Sequence, residues 1–248
     1  GVGVAIATSD IDNGQAPDHN LETIYKYNSL NQLIYQRTPD GGVVEYGYND
    51  VGDLIWSQND KQKQENLKTF TEYEGQRRIV RVGERDVNDP DAPWKSATRT
   101  LYDKPYYVYG QENLRGRVAS IIFEEEEGFS PDTYQMGTHY SYDVHGNVKT
   151  VIQAFAYYRN KKITKRIDYT YDLISGNVKE VAYQKGEVDQ FFHRYYYDAN
   201  SRLKDVETST DGYHWSTEAK YFYYDHGPLA RVELGEHQVQ GIDYAYTI

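Results

Sequence analysis

The sequence predicts an all-β fold, an antiparallel meander built from consecutive β-hairpin repeats. Three observations predict it: a composition rich in tyrosine, a short aromatic–acidic signature that recurs along the chain, and turn-forming residues shortly after each copy. No long stretch shows the 3.6-residue apolar spacing and the capping residues of an amphipathic helix. The length of 248 residues allows one domain or two.

Tyrosine dominates the apolar composition. The chain has 27 Tyr, against 7 Phe and 3 Trp, and Tyr is more frequent than Leu and Ile together. A conventional aliphatic core needs the opposite ratio. Because tyrosine combines a large apolar ring with a polar tip and favours strands, it suits a half-buried sheet surface. Composition alone also allows a tyrosine-rich β-sandwich.

Charge and cysteine content argue against several kinds of partner and chemistry. The net charge is -11 and the isoelectric point about 5.1, with no basic stripe to neutralise phosphates. We therefore expect no binding to nucleic acid or to anionic membranes. The sequence has no Cys, which excludes disulfides and Cys-ligated metals. No apolar run approaches the ~18 residues that span a bilayer, so we expect no membrane insertion.

A Tyr-x-Tyr-Asp signature recurs along the chain. Its copies are Tyr140-Ser141-Tyr142-Asp143, Tyr169-Thr170-Tyr171-Asp172 and Tyr195-Tyr196-Tyr197-Asp198, a copy with Phe first at Phe222-Tyr223-Tyr224-Asp225, and two copies with Asn at Tyr25-Lys26-Tyr27-Asn28 and Tyr46-Gly47-Tyr48-Asn49. Weaker copies lie at Tyr73-Glu74 and Tyr102-Asp103. Because strand side chains alternate, the two aromatic residues of each copy lie on one face.

Turn chemistry follows each signature. An Asp or Asn side chain caps the backbone N–H groups just ahead of it, and a glycine accepts the left-handed conformation that closes the turn. A second turn signal falls between signatures, so each repeat predicts two strands and two turns. The residues that close the first turn are Gly52, Gly146, Gly176, Ser201 and Gly227, and the second turns are Asp40-Gly41, Lys185-Gly186 and Asp211-Gly212.

Three stretches interrupt the repeat. Residues 57–68 are polar and are predicted to form a long loop, and residues 85–98 contain two prolines that do not suit a central strand. The acidic run at 124–127 is predicted to be a solvated face. Because the repeat resumes on both sides of each stretch, we interpret all three as insertions in a continuous sheet.

These motifs resemble the RHS/YD-repeat family, which includes bacterial RHS proteins, the C component of Tc insecticidal toxins and the teneurin shell. The resemblance covers residues 21–248 and is most specific from His139 onward. Residues 240–247 are similar to the stretch that precedes the RHS-associated core region in bacterial RHS proteins. The departures are Asn for Asp in the early copies and glycines displaced to Gly176 and Gly227, and they affect local register.

The resemblance implies a curved sheet, wound spirally as part of a hollow shell that encloses a C-terminal toxin or effector. Residues 1–20 would be a leader or a preceding strand, and residues 21–248 a shell segment truncated before the core region. The implied partners are the remainder of the same shell and its cargo, with secretion machinery or a surface glycan or protein as further candidates. The implied location is secreted or on the bacterial cell surface.

The signature carboxylates also admit a catalytic or metal-binding interpretation. Glycoside hydrolysis needs two carboxyl groups about 5–10 Å apart, whereas these recur once per repeat along a turn edge, so we interpret them as structural caps. The 7 His are scattered, with no paired spacing typical of zinc sites. The acidic stretches at 10–14 and 86–89 lack the spacing of a calcium loop. We expect no enzymatic activity, no metal and no cofactor.

Three functional hypotheses follow from these patterns. The leading one is a structural shell segment of a secreted RHS-repeat protein that encapsulates a toxin. The alternative is a cell-surface module that binds glycan or protein through an aromatic-rich β-surface, with Trp56, Trp94 and Trp215 as candidate contacts. The weakest is a polysaccharide-cleaving enzyme. Because the tyrosine stripe follows the repeat, packing on cross-strand neighbours is preferred over a ligand site.

Overall fold

A computed structural model describes residues 2–5, 22–89, 91–106, 109–126, 134–158 and 161–247. Most of the predicted leader at 1–20, the acidic stretch at 10–14 and Glu127 lie outside the described residues. The described chain is nearly all strand, and every pair of strands with a defined register is antiparallel. The predicted all-β hairpin-repeat fold is thus confirmed. Among these residues, no helix has the length and hydropathy needed to cross a membrane.

The chain forms two compact units, and the first comprises Gly1–Leu101 with Ile121–Gln135. Its strands are β1 (Val2–Ala5), β2 (Thr23–Tyr27), β3 (Leu33–Thr38), β4 (Gly42–Tyr48), β5 (Leu54–Asn59), β6 (Leu67–Tyr73), β7 (Ile79–Asp86), β8 (Lys95–Tyr102) and the larger part of β9 (Val118–Glu126). From β1 to β8, each strand pairs with the next one in the chain.

The second unit comprises Tyr102–Ser120 with Met136–Ile248. Its strands are β10 (Met136–Tyr142), β11 (Val148–Tyr158), β12 (Lys161–Tyr171), β13 (Val178–Tyr183), β14 (Phe191–Tyr197), β15 (Leu203–Ser209), β16 (Ser216–Tyr223), β17 (Leu229–Leu234) and β18 (Gln240–Asp243). These strands also pair in chain order, as a meander.

A β-bulge recurs at the end of seven strands that carry a signature. In the second unit, the register shifts by one residue immediately before Tyr142, Tyr171, Tyr197 and Tyr223. The first unit shows the same shift before Tyr27, Tyr48 and Tyr73. A bulge bends its strand and increases the local twist. The repeat therefore sets where each strand turns away from its neighbour.

One buried cluster of the second unit combines aliphatic side chains with tyrosine rings. Val206, Ala219 and Val232 are buried on three neighbouring strands. Partly buried side chains pack against them, namely Tyr195, Leu203, Tyr221, Leu229, Leu234 and Tyr244. The tyrosine rings thus supply about half of the large side chains around a small aliphatic centre.

The polar stretch at 57–68 differs from its prediction as a long loop. It contains the end of β5, a short helix α1 (Asp60–Gln64) and the start of β6. The helix has a capping box, in which Asn59 and Gln62 each accept from the other's backbone N–H group. Gln62 also donates to Thr69 and Glu84. One helical turn thus satisfies the polar groups of this connection.

Glu124, the first residue of the acidic run at 124–127, is buried. The sequence-based prediction that this run is a solvated face is therefore wrong at Glu124. Glu124 lies on β9 with 7% of its surface exposed, and Arg99 of β8 donates to its carboxylate at 3.1 Å. Strand alternation explains the difference, because neighbouring residues of one acidic run point to opposite faces.

Replacing Arg99 by Met should lower the free energy of unfolding by about 1–3 kcal/mol, because it leaves the buried Glu124 carboxylate without its charged partner. The measurement is urea-induced unfolding followed by circular dichroism. Lys149→Met is the matched control, because its partner Glu112 is more than half exposed and such pairs contribute about 0–1 kcal/mol. Equal losses for the two variants would contradict the assignment.

Candidate functional site

The site that the sequence points to is a repeated capped turn. The first residue of the turn is Asn28, Asn49, Asp143 or Asp198. In each case its Oδ1 accepts the backbone N–H groups of the second and fourth residues that follow, at 2.8–3.1 Å. The side chain thereby replaces backbone partners that the turn cannot supply.

Asp172 caps a turn that is one residue longer. Its Oδ1 accepts the N–H groups of Ile174 and Ser175, and also the Ser175 hydroxyl. Its backbone N–H donates to Asn177, one position further along than in the other copies. The extra residue explains why Gly176 lies four rather than three positions after its acidic residue.

A left-handed residue closes every one of these turns. The positive φ angles belong to Gly52 (87°), Gly146 (98°), Gly176 (73°) and Gly227 (118°), and to three non-glycine residues, Asn31 (63°), Arg77 (60°) and Ser201 (59°). Each of these residues donates its N–H to the carbonyl of the residue that opens the turn. Glycine carries least strain in this conformation. Gly146 additionally leaves room for the Arg117 guanidinium, which a Cβ there would meet at 2.7 Å.

The capping residue is also paired with the side chain four positions later, a feature that sequence reasoning missed. Asp143 accepts from the Asn147 amide at 2.9 Å and Asp198 from the Arg202 guanidinium at 2.7 Å. Further pairs of this kind are Asn28 with Gln32, Asn49 with Asp53 and Glu74 with Arg78. The signal was available in the sequence, because each of these five residues is followed at that spacing by a side chain of matching hydrogen-bonding capacity, whereas Asp172, with its longer turn, has Gly176 there.

These contacts lower the pKa of the turn carboxyl groups. The Asn147 amide is the main cause for Asp143, and the backbone N–H groups of Ser175 and Arg202 are the main causes for Asp172 and Asp198. Hydrogen bonds to a charged carboxylate favour the charged form. The acidic residues of the signature therefore act as ionised acceptors that hold the turn.

The second tyrosine of each signature forms a hydrogen bond that joins successive repeats, here called the tyrosine clasp. Its hydroxyl donates to the backbone carbonyl of the aliphatic residue that begins the preceding strand, at 2.8–3.0 Å. The clasps are Tyr48 to Leu33, Tyr73 to Leu54, Tyr142 to Val118, Tyr171 to Val148, Tyr197 to Val178, Tyr223 to Leu203 and Tyr246 to Leu229. Tyr27 occupies the same position, but its hydroxyl forms no such bond within the described residues.

Partial burial affects the acidity of six clasp hydroxyls. It is the main cause of a raised pKa at Tyr48, Tyr73, Tyr142, Tyr171, Tyr197 and Tyr223. A neutral hydroxyl can donate to a carbonyl, whereas a tyrosinate cannot. The environment of the clasp thus favours the protonation state that the clasp requires.

The first tyrosines of the signatures form a row on the same face as the clasps. Tyr169 stacks beside Tyr171 with ring centroids 6.5 Å apart. Burial raises the pKa of Tyr140 and of Tyr195, and in both cases nearby Tyr169 raises it further. In the first unit, Tyr46 donates to Gln36 at 3.3 Å, and Tyr25 is half-buried on β2. The row follows the strands, as expected for cross-strand packing.

In the fourth copy the structure places the motif one residue earlier than the sequence-based assignment, which is corrected accordingly. Tyr223, not Tyr224, forms the clasp, and Tyr224 opens the turn through its backbone. Phe222 and Tyr224 are exposed, and Asp225 makes no hydrogen bond to any other described residue. The four consecutive aromatics at 221–224 allow both registers, and the spacing of four residues from Tyr223 to Gly227, the same as from Tyr142 to Gly146, goes with the earlier one.

The described residues do not bring the signature carboxylates together. No three His, Asp or Glu side chains in this part of the chain are grouped closely enough to hold a metal ion. A cavity of about 450 Å³ in the second unit lies beside Ile152, Ile163 and Arg166, and Glu187 is the carboxylate in its lining. The geometry of the signature residues thus serves to hold strands together.

Comparison with known proteins identifies the fold. No protein-family model matches the sequence, and no curated protein matches it either. Similar solved structures include TcdB2-TccC3 (TM-score 0.63, 12% identity, 86% of this chain and 10% of that chain) and TcdB2-TccC3-Cdc42 (0.64, 12%, 86% and 10%). The Photorhabdus luminescens Tc holotoxin pore is another (0.61, 12%, 91% and 12%). The chain spans about a tenth of their length, and the likeness shows a shared fold.

Replacing Tyr197 by Phe should lower the free energy of unfolding by about 0.5–1.5 kcal/mol, because the Val178 carbonyl loses its hydrogen bond while the ring stays. Tyr196→Phe is the control, because its hydroxyl reaches Glu207 on an exposed face; we expect a loss below about 0.5 kcal/mol. Chemical denaturation measures both. A smaller loss at Tyr197 than at Tyr196 would show that the clasp does not stabilise the fold.

The turn carboxylates should make stability depend on pH. Because the pKa of Asp172 is lowered from its ordinary 3.8 in the folded chain, its contribution is fully present above that value and is lost as pH falls through the folded pKa. Asp172→Asn keeps the Oδ1 acceptor but cannot titrate. Urea unfolding from neutral pH to below 3.8 should show that the wild-type chain loses more stability than the variant. Parallel profiles would contradict this assignment, and Asp225→Asn controls for the removal of a carboxylate that makes no cap.

Proposed function

We propose that this chain is a shell segment of a secreted RHS-type protein, a wall that encloses a toxin or effector. The fold it shares with Tc toxin structures supports a shell-like role. The observation that carries the proposal is the clasp, which links each hairpin to the next by the same bond through both units. A wall needs such a repeated link, whereas a catalyst needs side chains that converge.

The distribution of charged and polar groups supports the same role. The carboxylates of Asp143, Asp172 and Asp198 each accept hydrogen bonds within their own turn, so these groups are spread along the turns of the hairpins. The face with the tyrosine row presents partly buried tyrosine side chains, among them Tyr140, Tyr171 and Tyr195. A surface of this kind is apolar in its rings and polar at their tips, and it would contact an enclosed polypeptide without offering a specific pocket.

The tryptophans do not favour the alternative role in binding glycans. Trp94 is buried at 4% exposure. Lys68 covers the ring of Trp56 at 3.5 Å, and Arg194 covers that of Trp215 at 3.7 Å. A sugar ring would have to displace these cations before it could stack on the indole. We propose the rest of its own shell and the enclosed cargo as the partners of this segment, and the cell surface or the outside of the cell as its location.

Enclosure can be tested by limited proteolysis of the full-length protein that carries this segment. The cargo domain should survive at protease concentrations that degrade the same domain produced alone. A variant with Tyr171, Tyr197 and Tyr223 all changed to Phe is the matched test of the wall, because it removes three consecutive clasps. We expect the variant to lose protection of the cargo at lower temperature than the wild type.

Cleavage of the cargo at the same rate inside the intact protein and in isolation would refute enclosure. The resistance of the β-strands to the same protease serves as the internal control for folding. Intact strands together with a fully cleaved cargo would separate a folded but non-enclosing wall from an unfolded one.

A further inference from the structure

The insertion that follows Tyr102 covers part of one sheet face in the second unit. Gln111 of this insertion donates to the Tyr140 carbonyl at 2.8 Å, and the Glu112 N–H donates to the Ser141 hydroxyl at 2.8 Å. Because strand side chains alternate, Ser141 points away from the face that carries Tyr140. The insertion therefore lies on the face opposite the tyrosine row.

A cleft lies where this insertion meets β11 and β12. Tyr109, Ile152 and Arg166 line two cavities, of about 450 Å³ and about 70 Å³, and because these residues are shared the cavities adjoin. Ile152 and Arg166 are paired directly across the two strands. The larger volume lies within the range of about 300–1,000 Å³ that is usual for small-molecule sites. We call this space the Tyr109 cleft. Its larger cavity is also lined by Ile163, Thr164, Gln184, Lys185 and Glu187.

Buried partners hold the apolar side of the Tyr109 cleft in place. The Tyr109 ring packs against the His139 ring, with centroids 4.3 Å apart. His139 is 1% exposed, and its Nδ1 lies 2.8 Å from the hydroxyl of Ser120, which is also buried. Ile152, the aliphatic side chain of the cleft, is buried as well. An aromatic ring fixed on one side and a buried aliphatic side chain form a rigid apolar patch.

Arg166 offers hydrogen-bond donors in a fixed direction. Its Nε and Nη2 both donate to Asp168 at 2.8 Å, and Gln184 accepts the Arg166 backbone N–H at 2.5 Å. Thr150 in turn donates to Asp168 at 2.7 Å. A guanidinium group has five N–H donors, of which the described residues take two. Its remaining edge can donate to two neighbouring oxygen atoms of a ligand.

The charges around the cleft balance. In and beside the larger cavity, Arg166 and Lys185 are positive, and Glu187 and Asp168 are negative. The smaller cavity adds one further pair, Lys149 with Glu112 at 2.8 Å. A phosphate or carboxylate would be attracted by the two cations but repelled by the two carboxylates. The lining therefore favours a neutral ligand over an anion.

The polar groups of the lining match a ligand that carries several hydroxyls. A hydroxyl both donates and accepts, so a ligand of this kind can accept from Arg166, donate to Glu187 and exchange a bond with the Thr164 hydroxyl. A pyranose ring combines such hydroxyls with a face of C–H groups. That face is the complement of the apolar patch formed by Tyr109 and Ile152.

We propose that the Tyr109 cleft binds one neutral pyranose ring, as a free sugar or as the end of a glycan. The C–H face of the ring packs on Tyr109 and Ile152, two neighbouring hydroxyls accept from the remaining edge of Arg166, and Glu187 accepts from another hydroxyl. In the described part of the chain, none of the three tryptophans lines this cleft. The site does not depend on whether the segment encloses a cargo.

Protein NMR of the whole chain with four methyl glycosides, those of glucose, galactose, mannose and N-acetylglucosamine, tests the site. At least one should shift the signals of Tyr109, Ile152 and Arg166, with a dissociation constant of about 1 mM, as expected for roughly a dozen non-hydrogen atoms. The trisaccharide of the same sugar distinguishes the two sources. It gives the same shifts if the cleft takes the end of a glycan, and none if the cleft takes only a free sugar.

Two variants and one control test the assigned contacts. Arg166→Lys keeps a positive charge next to Asp168 but removes the second edge of the guanidinium, so it should weaken binding of the glycoside at least about tenfold. Arg194→Lys is the matched control and should leave binding unchanged, because Arg194 donates to Glu180 at 3.1 Å and does not line the cleft. Thr164→Val changes an exposed hydroxyl and should weaken binding about two- to tenfold; it decides the matter if Arg166→Lys does not fold.

Three results would overturn the proposal. The first is that none of the four glycosides shifts the signals of Tyr109, Ile152 and Arg166 at concentrations well above 1 mM, the expected dissociation constant of about that value being then excluded. The second is equal weakening by Arg166→Lys and Arg194→Lys. The third is that phosphate or acetate shifts the same signals at lower concentration than any glycoside, which would assign the cleft to an anion.

Discussion

The tyrosine clasp supplies a donor at the point where the backbone ladder of each strand pair ends, and the rest of the repeat depends on it. On β11 and β12 the paired residues end at Thr150↔Asp168, and the next carbonyl towards the turn, that of Val148, has no backbone partner in that ladder. The Tyr171 hydroxyl donates to it at 2.8 Å. A partly buried carbonyl without a donor costs free energy, so the side chain extends the ladder by one bond beyond its last backbone pair.

The same requirement explains why the cap and the clasp occur together. The bulge before Tyr171 turns the strand out of register, and Asp172 then closes the turn that leads into β13. Without a closed turn, the tyrosine would not be held over the preceding strand. Without the clasp, the first carbonyl of that strand would lack this hydrogen bond. The aromatic and acidic residues are therefore neighbours in the sequence because they serve the two sides of one strand end.

The sequence was sufficient for the strands and turns but not for every register. Alternating aromatic residues and capping side chains act over a few positions, so they can be recognised without knowing which strands are neighbours. At residues 221–224, four aromatics in a row satisfy that local pattern in two registers, and only the distance to Gly227 and the carbonyl of Leu203 distinguish them. The burial of Glu124 could not be predicted from local pattern either, because its partner Arg99 lies on another strand.

The weakest copy of the signature shows how such a repeat can carry additional structure. Tyr102-Asp103 is followed by an insertion, yet the Asp103 N–H still donates to the Arg117 carbonyl and closes the turn. Strand β9 begins directly after it, and the Tyr142 hydroxyl donates to the Val118 carbonyl as in the other copies. The insertion lies between Asp103 and Gly116, the left-handed residue of this turn. It therefore disturbs neither the bond from Asp103 to Arg117 nor the clasp from Tyr142 to Val118. A wall built on these two bonds can therefore acquire new segments at its turns while every strand keeps its place.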